Sequence, residues 1–183
     1  MKINERLSAS GLYEIVRTGF GAIKDHRTEN AAISLQDILM SGFALFSLKD
    51  PSLLAFDARR ESPENLHTVY GIEQIACDTY LRTVLDEVNP AQLRPVYKRL
   101  WQRVEGENVL ASYRFMGQYY IVSPDGTGYF ASKQIHCPHC LEKHLKNGET
   151  RYYHSMLGAA LVHPEQKTVL PLMPEPIMRQ DGA

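Results

Sequence analysis

Apolar side chains recur at helical spacing through residues 12–104 of this 183-residue chain. Ser34, followed three residues later by Asp37, predicts a helix start with a capping box, and Pro51 is placed to end that helix. Pro95 predicts either a kink in a later helix or a regular start at that proline. The apolar stripes consist of Leu12, Ile15, Val16, Phe20 and Ile23; Leu35, Ile38, Leu39, Phe43 and Phe46; Leu81, Val84, Leu85 and Val88; and Leu93, Val96, Tyr97, Leu100, Trp101 and Val104.

The pattern changes after Gly106 to short runs that favour strands. Residues 113–116, 119–122, 156–162 and 168–173 are the predicted strands, and residues 163–167 are the loop of a hairpin between the last two. We therefore predict an α+β chain with a boundary between residues 106 and 112. Residues 1–108 form the helical N-terminal region, and residues 109–183 form a region that begins with antiparallel strands.

One carboxylate stands out in this second region. The apolar run at 119–122 is typical of a strand buried on both faces, and Asp125 would then emerge at its end, where buried sheets present chemistry to ligands. The alternative is a plain hairpin turn, because Asp125 and Gly126 both tolerate positive φ angles. The local pattern by itself favours the turn.

Cysteine and histidine side chains are concentrated between residues 136 and 154. Cys137 and Cys140 have the two-residue gap that lets two thiolates reach one metal ion, and His144, four residues beyond Cys140, is within reach if the chain turns helical there. The fourth ligand is ambiguous among His154, His139 and His136. Thiolate and imidazole donors suit a structural Zn²⁺ ion. Unligated reduced thiols are the main alternative, and a redox-active pair is the other.

A group of basic side chains lies on one side of the last predicted helix. Arg94, Lys98 and Arg99 cluster there, opposite much of the apolar stripe. They form either an ordinary solvated surface or a face that contacts DNA phosphates. The net charge of −1 gives no global basic field, but a local basic face is sufficient for DNA binding.

Composition places the chain among soluble globular proteins, with 44% hydrophobic and 22% charged residues. The N-terminal residues lack the apolar core of a signal peptide, and the longest apolar stretch, at 38–48, is shorter than the roughly 20 residues that span a bilayer. Three cysteines do not make a disulfide framework. We therefore expect a cytoplasmic protein with reduced thiols and no membrane association.

An ordered series of motifs resembles the DDE transposases of bacterial insertion sequences. It begins with Asp-Gly-Thr-Gly-Tyr-Phe at 125–130 and covers roughly residues 35 to 183. Its other segments lie at 78–82, 86–88, 135–144, 152–154, 156–159, 162–164, 174–177 and 180–182.

The resemblance implies a ribonuclease-H-like catalytic domain that begins within residues 109–183 and carries the Cys/His segment as an insert. It implies DNA transposition by two-metal phosphoryl transfer, with Asp125 as the first catalytic acid and a ligand of Mg²⁺. The expected partners are the DNA ends of a mobile element, and a homo-oligomer is a further expectation. The later catalytic acids of the family are absent before Ala183, so we expect an inactive, truncated fragment.

Two other functions remain compatible with the same residues. The chain could be a non-enzymatic DNA-binding or regulatory polypeptide, which needs the basic face but not Asp125. It could also be a small interaction protein stabilised by zinc, which needs only the Cys/His segment. DNA retention that weakens steeply with salt separates the first alternative from the second.

Overall fold

The computed structural model describes residues 5–28 and 30–179, and it confirms the α+β class. Two compact units follow one another along the chain, Met1–Asn108 and Val109–Ala183. The Gln-Asp-Gly segment at 180–182, which is part of the family resemblance, lies outside the described residues.

Over its described residues, the secondary-structure elements of the first unit are all helices. Its α-helices are α1 (Ala9–Gly21), α2 (Leu35–Ser47), α3 (Leu53–Asp57), α4 (Glu64–Thr68), α5 (Asp78–Asp86) and α6 (Arg94–Gly106). Short 3-10 helices cover Glu5–Leu7, Ala58–Glu61 and Pro90–Leu93. Pro95 lies in the first turn of α6, where its missing N–H costs no helical hydrogen bond, so the regular start near Pro95 is confirmed and a kink is not. Over the described residues, none of the helices has the length and apolar character needed to cross a bilayer.

Helix α2 is the centre of this unit, because nine of its thirteen residues are buried. Ile38, Met40 and Ala44 on α2 are fully buried, together with Leu81 of α5. Gly19 and Gly42 permit close helix packing, since a Cβ at Gly19 would lie 2.7 Å from a methyl carbon of Val96. The first unit therefore has a core of its own.

One of the two hydrogen bonds of the predicted capping box is present at the start of α2. The Ser34 hydroxyl accepts a hydrogen bond from the Asp37 N–H at 3.0 Å. The buried Asp37 carboxylate does not reach back to the cap. It accepts hydrogen bonds from the N–H groups of Glu73 and Gln74, at 3.1 and 3.2 Å, and so joins α2 to the segment before α5.

The second unit is an antiparallel sheet built around one long strand. Its strands are β1 (Arg114–Phe115), β2 (Tyr119–Ser132), β3 (Leu141–His144), β4 (Thr150–Val162), β5 (Leu170–Pro171) and β6 (Glu175–Ile177). Strand β4 pairs with β2 along one edge and with β3, β6 and β5 in succession along the other. A short strand, β1, extends the sheet beyond β2.

Both interpretations of the stretch around Asp125 are wrong. Strand β2 does not end or turn at Asp125 but continues to Ser132, with Asp125 opposite Gly158. The strand is also exposed along most of its length, so it is not buried on both faces. The reason is non-local, because the long partner β4 supplies backbone hydrogen bonds through the Asp-Gly step.

Few side chains of the second unit are buried. Among its described residues, only Tyr113, Cys140 and Leu161 are buried. Large apolar side chains such as Tyr119 and Val122 remain about half exposed, at 58% and 47%. The folded structure of this unit therefore depends on strand pairing and on local interactions more than on a hydrophobic core.

Candidate metal centre

A tight turn brings the two cysteines of the second unit together. The Cys140 N–H donates to the Cys137 carbonyl at 3.1 Å, and Pro138 occupies the turn position that its fixed φ angle favours. The two Sγ atoms lie 3.8 Å apart, and both thiols are free. The Cys137 N–H also donates to the Cys140 sulfur at 3.3 Å, which helps to hold the turn together.

His154 of β4 completes a group of three. Its Nε2 atom lies 3.3 Å from the sulfur of Cys137 and 3.3 Å from the sulfur of Cys140. The position follows from the sheet register, because Leu141, the residue after Cys140, pairs with Tyr153, the residue before His154. Chain positions fourteen or more residues apart thus meet at one point.

An irregularity in β2 holds the ring of His154 in place. The register between β2 and β4 shifts between Gly128 and Phe130, which makes Tyr129 the extra residue of a β-bulge. The Tyr129 ring stacks on the His154 ring with centroids 5.8 Å apart, and the Phe130 ring lies 5.7 Å away at a tilt. Two aromatic neighbours therefore restrict the imidazole.

The three donor atoms fit a tetrahedral metal ion. Metal–sulfur bonds of about 2.3 Å at tetrahedral angles place two sulfurs about 3.8 Å apart, and a metal–nitrogen bond of about 2.0 Å gives a nitrogen–sulfur edge of about 3.5 Å. The observed separations of 3.8 and 3.3 Å are close to both values. Two soft sulfurs with one imidazole suit zinc or a similar soft ion. Cys137, Cys140 and His154 could therefore hold a metal ion such as zinc.

The geometry does not support His144 as a ligand. His144 pairs with Thr150 at the far end of β3, and its Nδ1 contacts the Thr150 hydroxyl at 3.1 Å. His136 is also engaged elsewhere, because its ring stacks on Tyr152 with centroids 4.3 Å apart. His139 is exposed on the cysteine turn. Within the described residues, the group has three members, so a water molecule or an added side chain would supply a fourth ligand.

Asp125 stands apart from this centre, on an open part of the sheet. It is exposed, and its neighbours on the same strand face are Ser123 and Thr127, with Gly158 directly opposite. These small neighbours leave its carboxylate accessible. Over the described residues, no group of three or more metal-binding side chains includes Asp125, so the expected Mg²⁺ site has no support.

The basic side chains predicted to contact DNA all lie on α6. Arg94, Lys98 and Arg99 are exposed there. Arg99 also lines a cleft of about 420 Å³ between α1 and α6, and the same cleft includes Arg6 and Arg103. Sequence periodicity did not identify Arg6, which reaches the cleft from the 3-10 helix before α1.

Comparison with known proteins identified no similar protein or structure. No protein-family model, no curated protein and no solved structure matches the chain.

Proposed function

We propose that this chain belongs to a DDE transposase and contains its DNA-binding helical region and the leading strands of its catalytic domain. The observation that carries the proposal is the position of Asp125 on β2 in a three-strand antiparallel meander. A ribonuclease-H-like sheet begins with such a meander, and the order β2, β4, then β5 and β6 agrees with it. The motif series from residue 78 onward supports the same family.

In this proposal Asp125 is the first catalytic acid. Its open surroundings let a phosphate group or a hydrated cation approach the carboxylate. A single carboxylate supplies too few oxygen ligands for a pair of Mg²⁺ ions, so the described residues position an acid without completing a two-metal site. Asp125 shares a sheet face with His154, because Gly158 and His154 lie four residues apart on β4, which corresponds to about 13 Å.

The metal centre has a structural role in this proposal, with Zn²⁺ as its ion. Cys140 is buried, and the three donors join a loop to the central strand of a sheet that has few other buried side chains. A metal ion that joins two segments of the chain in this way contributes to folding free energy directly. Zinc would therefore fix the Cys/His loop against β4 at a distance from Asp125.

The proposed function is tested by recovering DNA from fragments that surround the gene for this chain. Immobilised protein is incubated with those fragments, washed at increasing salt, and the retained DNA is sequenced. We expect enrichment of sequences that flank the gene, because a transposase binds the ends of its own element. Uniform recovery of all fragments would contradict the proposal.

A charge-reversed variant locates the binding face in the same experiment. Changing Arg94, Lys98 and Arg99 together to Glu should weaken retention and reduce the salt slope by up to about 2.7, or 0.9 for each lost phosphate contact. The matched control reverses three exposed basic residues elsewhere in the helical unit, Lys24, Lys49 and Arg82. Equal losses in the two triple variants would show that the face on α6 has no specific role.

A zinc-stabilised interaction protein is the second candidate function. The Cys/His cluster and the uncovered sheet favour it, because an ordered sheet with exposed apolar side chains is suited to a protein partner. The two proposals differ in the DNA experiment. An interaction protein would retain no DNA in a salt-dependent manner, whereas its metal content would be the same.

A further inference from the structure

The two sulfurs of the metal centre differ in their access to solvent. Cys137 is exposed, whereas Cys140 is buried, with 4% of its surface exposed. The two Sγ atoms lie 3.8 Å apart. A reagent from solution therefore reaches Cys137 first, and the sulfur of Cys140 lies in contact with the atom that is modified.

The backbone of this turn also meets the requirements of a disulfide. The hydrogen bond from the Cys140 N–H to the Cys137 carbonyl closes a four-residue turn, whose end Cα atoms lie less than about 7 Å apart. Disulfides need Cα separations of about 4.4–6.8 Å. Strand β3 begins only at Leu141, so rotation of the two side chains within the turn leaves the strand pairing unchanged.

Metal binding puts both cysteines in their reactive form. A thiol that coordinates a metal ion is deprotonated, and the thiolate is the nucleophilic form of cysteine. The Nε2 atom of His154 lies 3.3 Å from each sulfur, so both sulfurs would bind the same ion as thiolates. An accessible thiolate next to a second cysteine is the arrangement that is most susceptible to reversible oxidation.

We propose that hydroperoxides oxidise Cys137 and Cys140 to a disulfide and thereby release the metal ion. This inference concerns the regulation of the metal centre, and it rests on the structural Zn²⁺ ion of the proposed function. It requires neither Asp125 nor the basic residues of α6.

The reaction has two steps. The Cys137 thiolate attacks one oxygen of hydrogen peroxide, the O–O bond breaks, and a sulfenic acid and a hydroxide ion are formed. The Cys140 thiolate then attacks the sulfur of Cys137, the S–O bond breaks, and a second hydroxide leaves as the disulfide forms. Each hydroxide takes a proton from the solvent. Two thiolates thus lose two electrons in total, and one peroxide molecule is reduced to two water molecules.

Oxidation removes two of the three donors together. The thiolate is the form of cysteine that binds a metal, and a disulfide contains none. Among the described members of the group, His154 alone would keep its donor atom, which is too few for a tetrahedral zinc site. The turn therefore loses its connection to β4 through the metal, while the disulfide keeps its two sulfurs joined.

The test follows zinc in the reduced, zinc-loaded full chain during treatment with hydrogen peroxide. Released zinc is measured with a chromogenic chelator, and the intact mass is measured without reductant. We expect release of about one ion per chain with loss of two hydrogen atoms from the pair, and rebinding after dithiothreitol and zinc are added. Cys77→Ser is the matched control, because Cys77 precedes α5 in the helical unit, and it should behave as the parent does.

Two single variants identify the cysteine that reacts first. Cys140→Ser keeps the exposed thiol without a partner for a disulfide, so its sulfenic acid should persist and be trapped by dimedone. Cys137→Ser keeps only the buried thiol of the pair, which should be labelled about tenfold less. Equal labelling of the two variants would overturn the proposed order of attack.

The other outcomes separate this inference from the proposed function. Zinc that stays bound after glutathione in the same solution has been oxidised would overturn the inference and leave the metal centre in place. Zinc release with added oxygen on the chain but without a disulfide would also overturn it. A parent chain that carries no zinc before peroxide is added would refute the metal centre and this inference together, whereas the DNA recovery experiment would still decide the transposase proposal.

Discussion

The choice between two histidines gives the sharpest test of the metal centre. His154→Ala removes the Nε2 atom that lies 3.3 Å from both sulfurs, whereas His144→Ala removes a side chain that contacts only Thr150. We expect the parent and His144→Ala to retain about one zinc ion per chain after dialysis under reducing conditions. His154→Ala and the double change of Cys137 and Cys140 to Ser should retain little or none.

The size of the stabilising effect follows from binding linkage. An ion that binds only the ordered site stabilises it by about 2.7 kcal/mol when free zinc is one hundred times its dissociation constant. Local opening of the metal site should then become about 100-fold rarer. The amide hydrogens that exchange only through that opening should exchange more slowly by the same factor. The segment concerned is residues 137–154, which contains all three donors. Helix α2 should change little, since the first unit has its own core.

Hydrogen exchange read by mass spectrometry, with and without zinc, measures this effect directly. The parent and His144→Ala should show the slowing in residues 137–154, and His154→Ala should not. Cys137→Ser provides a variant at an exposed position, so a folding defect from the buried Cys140 does not obscure the result. Zinc retained by His154→Ala but lost by His144→Ala would refute the geometry described here.

Three other predictions concern individual carboxylates. Asp37→Ala should lower the free energy of unfolding of the helical unit by about 1–3 kcal/mol in urea titrations, because two backbone N–H groups lose their acceptor, and Asp37→Asn should lose less. The hydrogen bonds from Arg27 lower the pKa of Asp25 to about 2, so this pair should stabilise the fold above pH 4 and lose its effect as the pH falls towards 2. Asp25→Asn should therefore cost about 1 kcal/mol at pH 7, after allowance for partial exposure, and nothing at the lowest pH of an acid titration. Neither the parent nor Asp125→Ala should cleave DNA in Mg²⁺ or Mn²⁺, because no described group of three ligands includes Asp125, and cleavage by the parent alone would refute this.

Features that depend on neighbouring residues could be predicted from the sequence. The Ser34 cap requires only contact with the N–H three residues later, and the structure has that bond. The Cys137–Cys140 turn is equally local, because Pro138 sets the backbone angle that brings the sulfurs together. Helical stripes were predictable for the same reason, since each helix buries the face that its own spacing defines.

Features that depend on strand register could not be predicted in this way. His144 is four residues from Cys140 and His154 is fourteen, yet the ladder between β3 and β4 brings the distant histidine to the sulfurs. The strand through Asp125 requires the partner β4, which local turn preference does not reveal. The bulge at Tyr129 could not be predicted from the sequence either, although it places the Tyr129 ring against the imidazole of His154. In each case the pairing of strands across the sheet determined the structure, and the preference of the local sequence did not.

The small core of the second unit makes the metal centre important for its stability. Among the described residues of this unit only Tyr113, Cys140 and Leu161 are buried, and Cys140 is itself one of the three metal donors. A metal ion would join the turn at Cys137 and Cys140 to the long strand β4 through His154. The Tyr129 ring of the β2 bulge stacks on the same imidazole, so an ion that fixes His154 also restrains that part of β2. One ion would thus connect three segments of a unit that has few other buried contacts.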